Sequence, residues 1–188
     1  MPGDCVVLTK LYDGVADFYT ILSPESLQEV KLPALNNVGS AFVLFRASDE
    51  IVVDEVSYSA RWHDVSIKDK KGVSLERIQP DGLSQDESNW TSATAEVGYG
   101  TPGYKNSQYK NGDSAKNVFI NPPEYVPGFD YYLLAYHTNK PGYRCRVKIY
   151  ATSGKKMAEV SNNRLMAQEG ELRWNGESLS SRRLSPGG

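Results

Sequence analysis

The chain is poor in the residues that carry acid–base, thiol and metal chemistry. Its 188 residues include only two histidines and two cysteines. His63 and His137 lie far apart in sequence, which leaves a metal centre or a nucleophile–base–acid triad short of members. Cys5 and Cys145 fall in different predicted domains, so no structural disulfide is expected between them. Cys145 alternates with Val147 and Ile149 and reads as a small buried hydrophobe rather than a nucleophile. No apolar run approaches the length needed to span a bilayer, and Met1-Pro2-Gly3-Asp4 lacks both the basic start and the apolar core of a signal peptide. An excess of one charge is missing too. Lys and Arg number 21 against 23 Asp and Glu, for a net charge of -2. Without a block of basic residues, nonspecific nucleic-acid binding loses its usual footprint. There is no G-x-S-x-G elbow, H-E-x-x-H, Walker A loop, dinucleotide fingerprint or C-x-x-C. Asp81, Asp86 and Glu87 cluster in one loop without EF-hand spacing and are explained by turn formation. The expectation is a protein without catalytic residues, metal ligands or cofactor.

What is present is strand and turn material. Twelve Tyr and sixteen Gly favour strands joined by tight turns over a helical bundle, and the length suits one large or two small domains. Period-two alternation recurs where helical periodicity does not, so the predicted fold class is all-β. Phe42-Val43-Leu44-Phe45 is apolar on both faces and reads as a central strand. Val52, Val56 and Tyr58 share a face with Asp54, which points Asp54 inward. A carboxylate there needs hydrogen-bond donors to hold it, and a loop-fixing role is preferred over a metal or catalytic one because no ligand stands at a suitable spacing. Short helical turns are expected around Gly14–Tyr19 and Ser23–Glu29, the second from Ser23-Pro24-Glu25.

The stretch Gly72–Gln108 combines a strand over Val73–Ile78, a Pro80-Asp81-Gly82 turn, a polar loop carrying Trp90, and a second rigid turn at Thr101-Pro102-Gly103. Glu76 and Arg77 are adjacent on the strand and face opposite sides of the sheet, so each must find a partner elsewhere. Arg77 is expected to cover apolar surface with its stem and clamp a carboxylate or loop carbonyls. Trp90 is expected to anchor the polar loop. The structural set is thus Asp54, Glu76, Arg77, Trp90, Pro102 and Gly103. Trp62, Trp90 and Tyr99 are candidate binding residues, able to stack on sugars or bases if exposed.

In the second half, Tyr109–Asp113 marks a composition shift and a linker over 109–116. Beyond it, Arg144, Arg146 and Lys148 alternate with Cys145, Val147 and Ile149, giving one wet and one dry face. The basic face reads as solvated or edge-protecting. Asn175-Gly176 is a hairpin signal.

Residues Pro2-Gly3-Asp4, CVVLTK, the LNNVG turn, FVLF, VVDEVSY, GVSLERI, NWTSA and TPGYKNSQ, in this order, resemble the bacterial lamin-tail domain over roughly the first hundred positions. The later pattern, a strand ending in PGY, then VKIY, a Ser153-Gly154 turn and Trp174-Asn175-Gly176, resembles the Ig-like repeat of the flagellar hook-capping (FlgD-like) type. Ala151 and Asn175 stand where that family usually has Asp, which weakens any cation-binding role there. The resemblances imply a lamin-tail Ig-like β-sandwich over 1–108 and a second Ig-like sandwich over 117–188. They also imply that the first is truncated at its start and that the second is incomplete, with a strand edge open to pairing. The implied role is that of non-catalytic modules of a larger secreted or cell-surface bacterial protein, serving as spacer, anchor or protein-interaction domain. The alternative is a carbohydrate- or nucleic-acid-binding accessory module of a secreted hydrolase. An extracellular or cell-envelope address and an unidentified protein or envelope partner follow from the resemblance alone.

Overall fold

The structure, a computed structural model, describes residues 4–110 and 119–184. It divides into two compact units, Met1–Lys110 and Asn111–Gly188. Most of the expected linker, and the tail Ser185–Gly188 on which the expectation of an incomplete second domain drew, lie outside the described residues. The chain is nearly all-β and sandwich-like in type, with a single one-turn α-helix among the described residues. None of their helices is long and apolar enough to cross a membrane.

The first unit opens with β1 (Val7–Thr9), α1 (Asp13–Ala16) and β2 (Leu27–Glu29), and β1 pairs with β2 in parallel. A crossover connection is required for parallel pairing, and α1 supplies part of it. The expected second helical turn shrinks to a 3-10 turn over Pro24–Ser26, and Leu27–Glu29 is strand. Pro24 stands in the first turn as the sequence suggested, but the Ser23 side chain makes no capping bond. The pairing with β1 takes over where a helix would have continued. Next come β3 (Gly39–Arg46) and β4 (Ile51–Ser59), an antiparallel hairpin, then β5 (Leu75–Arg77) paired with β6 (Trp90–Ser92). Strand β5 is shorter than the predicted Val73–Ile78.

Two features of the hairpin depart from the sequence reading. Strand β3 is not central: it pairs only with β4 among the described residues, and Phe42, Val43, Leu44 and Phe45 are 44, 47, 53 and 57 % exposed. In addition, the register slips between Leu44 and Phe45, so that Leu44 faces Asp54 while Phe45 faces Val52. Val53 is the extra residue of a bulge, and a single inserted residue moves everything beyond it to the other face. Val52 therefore leaves the face it was expected to share with Asp54 and Val56. Only Val56 of the three is buried, at 5 % exposure.

The second unit contains β7 (Phe119–Ile120), β8 (Glu124–Val126), β9 (Tyr131–His137), β10 (Arg144–Tyr150), β11 (Lys156–Leu165) and β12 (Glu169–Trp174). One sheet centres on β9, with β12 on one side and β7 and β8 on the other; the β10–β11 hairpin is the second layer. Between them sit Leu134, Tyr136, Met166 and Leu172, with Cys145, Val147, Val160 and Trp174 packed around. The alternation read from β10 thus places Cys145 and Val147 inward, while Arg144, Arg146 and Lys148 are exposed. Both cysteines are free thiols. The Ser153-Gly154 turn closes the hairpin, with Gly154 at φ 82° and the Ala151 N–H donating to Lys155 O at 2.9 Å. Gly170 on β12 faces Tyr136 across the ladder, and a Cβ at that position would lie 2.7 Å from Tyr136 Cζ. The buried ring of Tyr136 occupies the place of the missing side chain.

Candidate functional site

The polar residues singled out in the first half converge on two structural knots. Glu76 lies on the buried face of β5 at 3 % exposure. Its Oε1 accepts from Thr101 Oγ1 at 2.6 Å, and its Oε2 accepts from Ser107 Oγ at 2.7 Å and from the Gln108 N–H at 3.0 Å. No cation is needed, because three donors replace the water that burial removes. The donors come from the Thr101-Pro102-Gly103 turn and the segment that follows, so one carboxylate fastens the last ten residues of the unit to its sheet. Gly103 has φ 79°, and its missing side chain leaves room for Ser26, whose Cβ would be 3.2 Å from a Cβ there. Pro102 is half-buried beside it. Tyr104 hydroxyl ionisation is pushed up by burial first and by the neighbouring Glu76 charge second.

Arg77, pointing to the opposite side of β5, forms the other knot. Its Nη1 donates to Asp54 Oδ2 at 3.1 Å and its Nη2 to Gly82 O at 2.5 Å, with the guanidinium 5.7 Å from the centre of the Trp90 ring. Ser84 Oγ donates to Asp54 Oδ1, and Trp90 Nε1 donates to Ser84 O at 2.9 Å. Asp54, Arg77, Ser84 and Trp90 therefore close a ring of contacts that ties the 79–89 loop to β4. The Asp54 side chain keeps 45 % of its surface open, so it sits at the rim rather than in the core.

The three candidate stacking residues are not gathered on one platform. Trp62 and Trp90 stack on each other, ring centres 5.9 Å apart and planes 29° apart. Each consequently spends a face on the other, and Trp90 also meets Arg77. Tyr99 stands apart as a backbone hinge at φ 66°, its N–H bonded to Thr94 O and its carbonyl accepting from Ser74 N.

Two arrangements had no sequence signal. His63 Nδ1 lies 2.8 Å from Ser92 Oγ, which also accepts from the Asp64 N–H at 3.0 Å. Burial, and secondarily Lys70, holds the imidazole pKa below its usual value. Ser92 is fully buried, so this serine–histidine pair presents no nucleophile to a substrate. The second arrangement is a cleft of about 780 Å³ lined by Tyr19, Phe42, Tyr58, His63, Trp90 and Asn36 among others. Its wall is braced by Tyr58 Oη donating to Asn36 O at 2.7 Å and Tyr19 Oη donating to Gly72 O at 3.1 Å. Among the described residues, no three His, Cys, Asp or Glu side chains gather as metal ligands would.

The hairpin beyond Phe42 is also open to solvent. Ile51, Val52 and Val53 are 55, 56 and 61 % exposed, beside the open residues of β3. Its polar tip is self-contained: Arg46 holds Asp49 through Nε at 2.8 Å and Nη2 at 2.5 Å, which lowers the Asp49 pKa. Compared with family models, with curated proteins and with solved structures, the chain matches none.

Proposed function

We propose that the chain is a pair of non-catalytic β-sandwich modules from a larger secreted or cell-surface protein, and that the first module binds protein through its β3–β4 hairpin. The hairpin carries the reading. Seven apolar residues, Phe42–Phe45 and Ile51–Val53, stay open to solvent between 44 and 61 %, while Asp54, Glu76, Arg77 and Trp90 are engaged in fastening loops. Open apolar side chains on both faces of a hairpin mark a partner surface. Strand edges and sandwich loops are where such modules make contacts. The order of motifs that resembles a lamin-tail domain supports the same role and is the sole support for an exported setting.

A photo-crosslinking side chain at position 45 of the intact protein tests this. Adducts to protein are expected, with none from a control at the exposed Leu179 of the second unit. Equal labelling from both positions, or none from 45, would refute the hairpin's role. The cleft beside Trp90 favours a second reading, a carbohydrate- or nucleic-acid-binding accessory module, because it places Tyr19, Phe42 and Tyr58 around one hollow. Retention on a glycan array that is lost in Tyr58→Ala would establish it in place of the first.

A further inference from the structure

The charge balance of the whole chain conceals a difference between its two units. Residues 1–110 carry 10 Lys and Arg against 16 Asp and Glu, a net of -6, while residues 111–188 carry 11 against 7, a net of +4. Part of that excess is ordered on the outer face of the β10–β11 hairpin. Each of the three register shifts in this pairing adds a residue to β11, at Met157, Val160 and Asn163, and none to β10. A bulge interrupts alternation only in the strand that holds it. Strand β10 therefore keeps strict period two, and Arg144, Arg146, Lys148 and Tyr150 all stand on the exposed face. They follow one another at about 6.8 Å, in a row about 20 Å long. Across from the row stand Asn162, Glu159 and Lys156. The carboxylate among them is held by Lys156, and its pKa is lowered by that bond first and also by the charges of Lys148 and Arg146. Arg146 gives its Nε to Asn162 Oδ1 at 2.9 Å, a neutral acceptor that fixes the guanidinium and leaves the Nη fork for another partner. Lysine alone suffices to blunt a strand edge. Two arginines, one of them preset by an asparagine, and a tyrosine 55 % exposed in line with them go beyond that need.

We propose that this face binds single-stranded nucleic acid, with the phosphate backbone running along β10. The site lies wholly in the second unit, apart from the hairpin and the cleft of the first. Because the row is on the outside of a sheet layer, it suits an extended polyanion rather than a small anion that needs enclosure. Three of its four side chains, the two guanidiniums and the phenol, are planar groups that stack on bases. The guanidinium forks and the Lys148 ammonium also take phosphate oxygens. A single strand offers both features in every repeating unit, one phosphate and one base free to stack, whereas the bases of a duplex are stacked on each other. An acidic polysaccharide would meet the cations but brings no π face for the guanidiniums to cover. An anionic membrane fits less well again, because the exposed residues of this face include no aliphatic side chain to insert among acyl chains.

Anisotropy of a short labelled oligothymidylate, titrated with the full chain at KCl concentrations between about 50 and 200 mM, tests this. Reductant is included because Cys5 is an exposed thiol. Binding is expected, with log Kobs falling against log [KCl] at a slope of about -2, as three phosphate contacts on a single strand give. Arg146→Gln and Lys148→Gln should each weaken binding and bring the slope nearer zero by about 0.7. Tyr150→Ala should weaken it about fivefold or more at unchanged slope, since stacking releases no counterion. Glu159→Gln should tighten it, an outcome that no loss of folding can imitate. Lys68→Gln, at an exposed lysine of the first unit, should change nothing. No binding at about 50 mM KCl, a slope indifferent to both Arg146→Gln and Lys148→Gln, or an equal loss from Lys68→Gln would overturn the proposal. Displacement of the oligonucleotide by a duplex, by polygalacturonate or by anionic phospholipid vesicles at equal charge concentration would overturn it too, and would name the ligand in its place.

Discussion

Replacing Glu76 probes what holds the end of the first unit in place. In Glu76→Gln the amide oxygen can take the position of Oε2, keeping the Ser107 and Gln108 donors, while the new NH2 group meets Thr101 Oγ1. That hydroxyl has another acceptor, Asn106 Oδ1 at 3.3 Å, so it can turn its proton there and accept from the amide. The variant then loses charge assistance but leaves no donor orphaned, and about 1–2 kcal/mol of stability is expected to go. Glu76→Leu is a harsher change. It removes every acceptor and strands the Gln108 N–H, a backbone donor with no freedom to turn, at a fully buried residue. At about 1–3 kcal/mol for each unsatisfied buried group, a loss of about 4 kcal/mol is expected. The measurement is urea unfolding followed by tryptophan fluorescence in a Trp174→Phe background, so that only Trp62 and Trp90 of the first unit report. Hydrogen exchange at the Gln108 amide should accelerate in Glu76→Leu and change little in Glu76→Gln. Equal losses for the two variants, or losses below about 0.5 kcal/mol for both, would refute the idea that the carboxylate fastens this segment.

Two further expectations concern the cores. Gly170→Ala should destabilise the second unit by about 1–3 kcal/mol, because Tyr136 is buried and cannot withdraw its ring from the added methyl; near-UV circular dichroism and thermal melting would register the loss, and an unchanged melt would show that the ring has room. The first unit should also lose stability as pH falls below about 6.5. His63 is held neutral by burial, so the unfolded chain takes up its proton first; the contribution is fully present above the unfolded pKa and disappears as pH drops through the lower folded one. His63→Gln should flatten the melting temperature between pH 5 and 7, and a slope identical to wild type would assign the effect to another group.

How much of this was legible in the sequence depends on the range of the interaction concerned. Alternation in Arg144–Tyr150 determined which face of β10 is dry, because side-chain direction in a strand follows from the pleat alone. The same local rule put Glu76 and Arg77 on opposite faces, and the Ser153-Gly154 dipeptide marked its turn through glycine's tolerance of positive φ. For β4 the rule failed at a single residue. The Val53 bulge has no composition of its own, and once present it sends Val52 to the other face.

The sequence by itself therefore determined strand material, turns and local facing, all of which depend on neighbours within a few residues. Only the tertiary structure decided which partners those faces meet. Glu76 is bonded to residues 25 to 32 positions away, His63 to one 29 away, and Trp62 lies against Trp90. No local pattern encodes such pairings, since each results from chain closure and the competition of buried groups for donors. The apolar run Phe42–Phe45 shows the limit clearly: hydrophobicity on both faces says that a strand seeks cover, and the fold alone reveals that the described residues leave about half of it open.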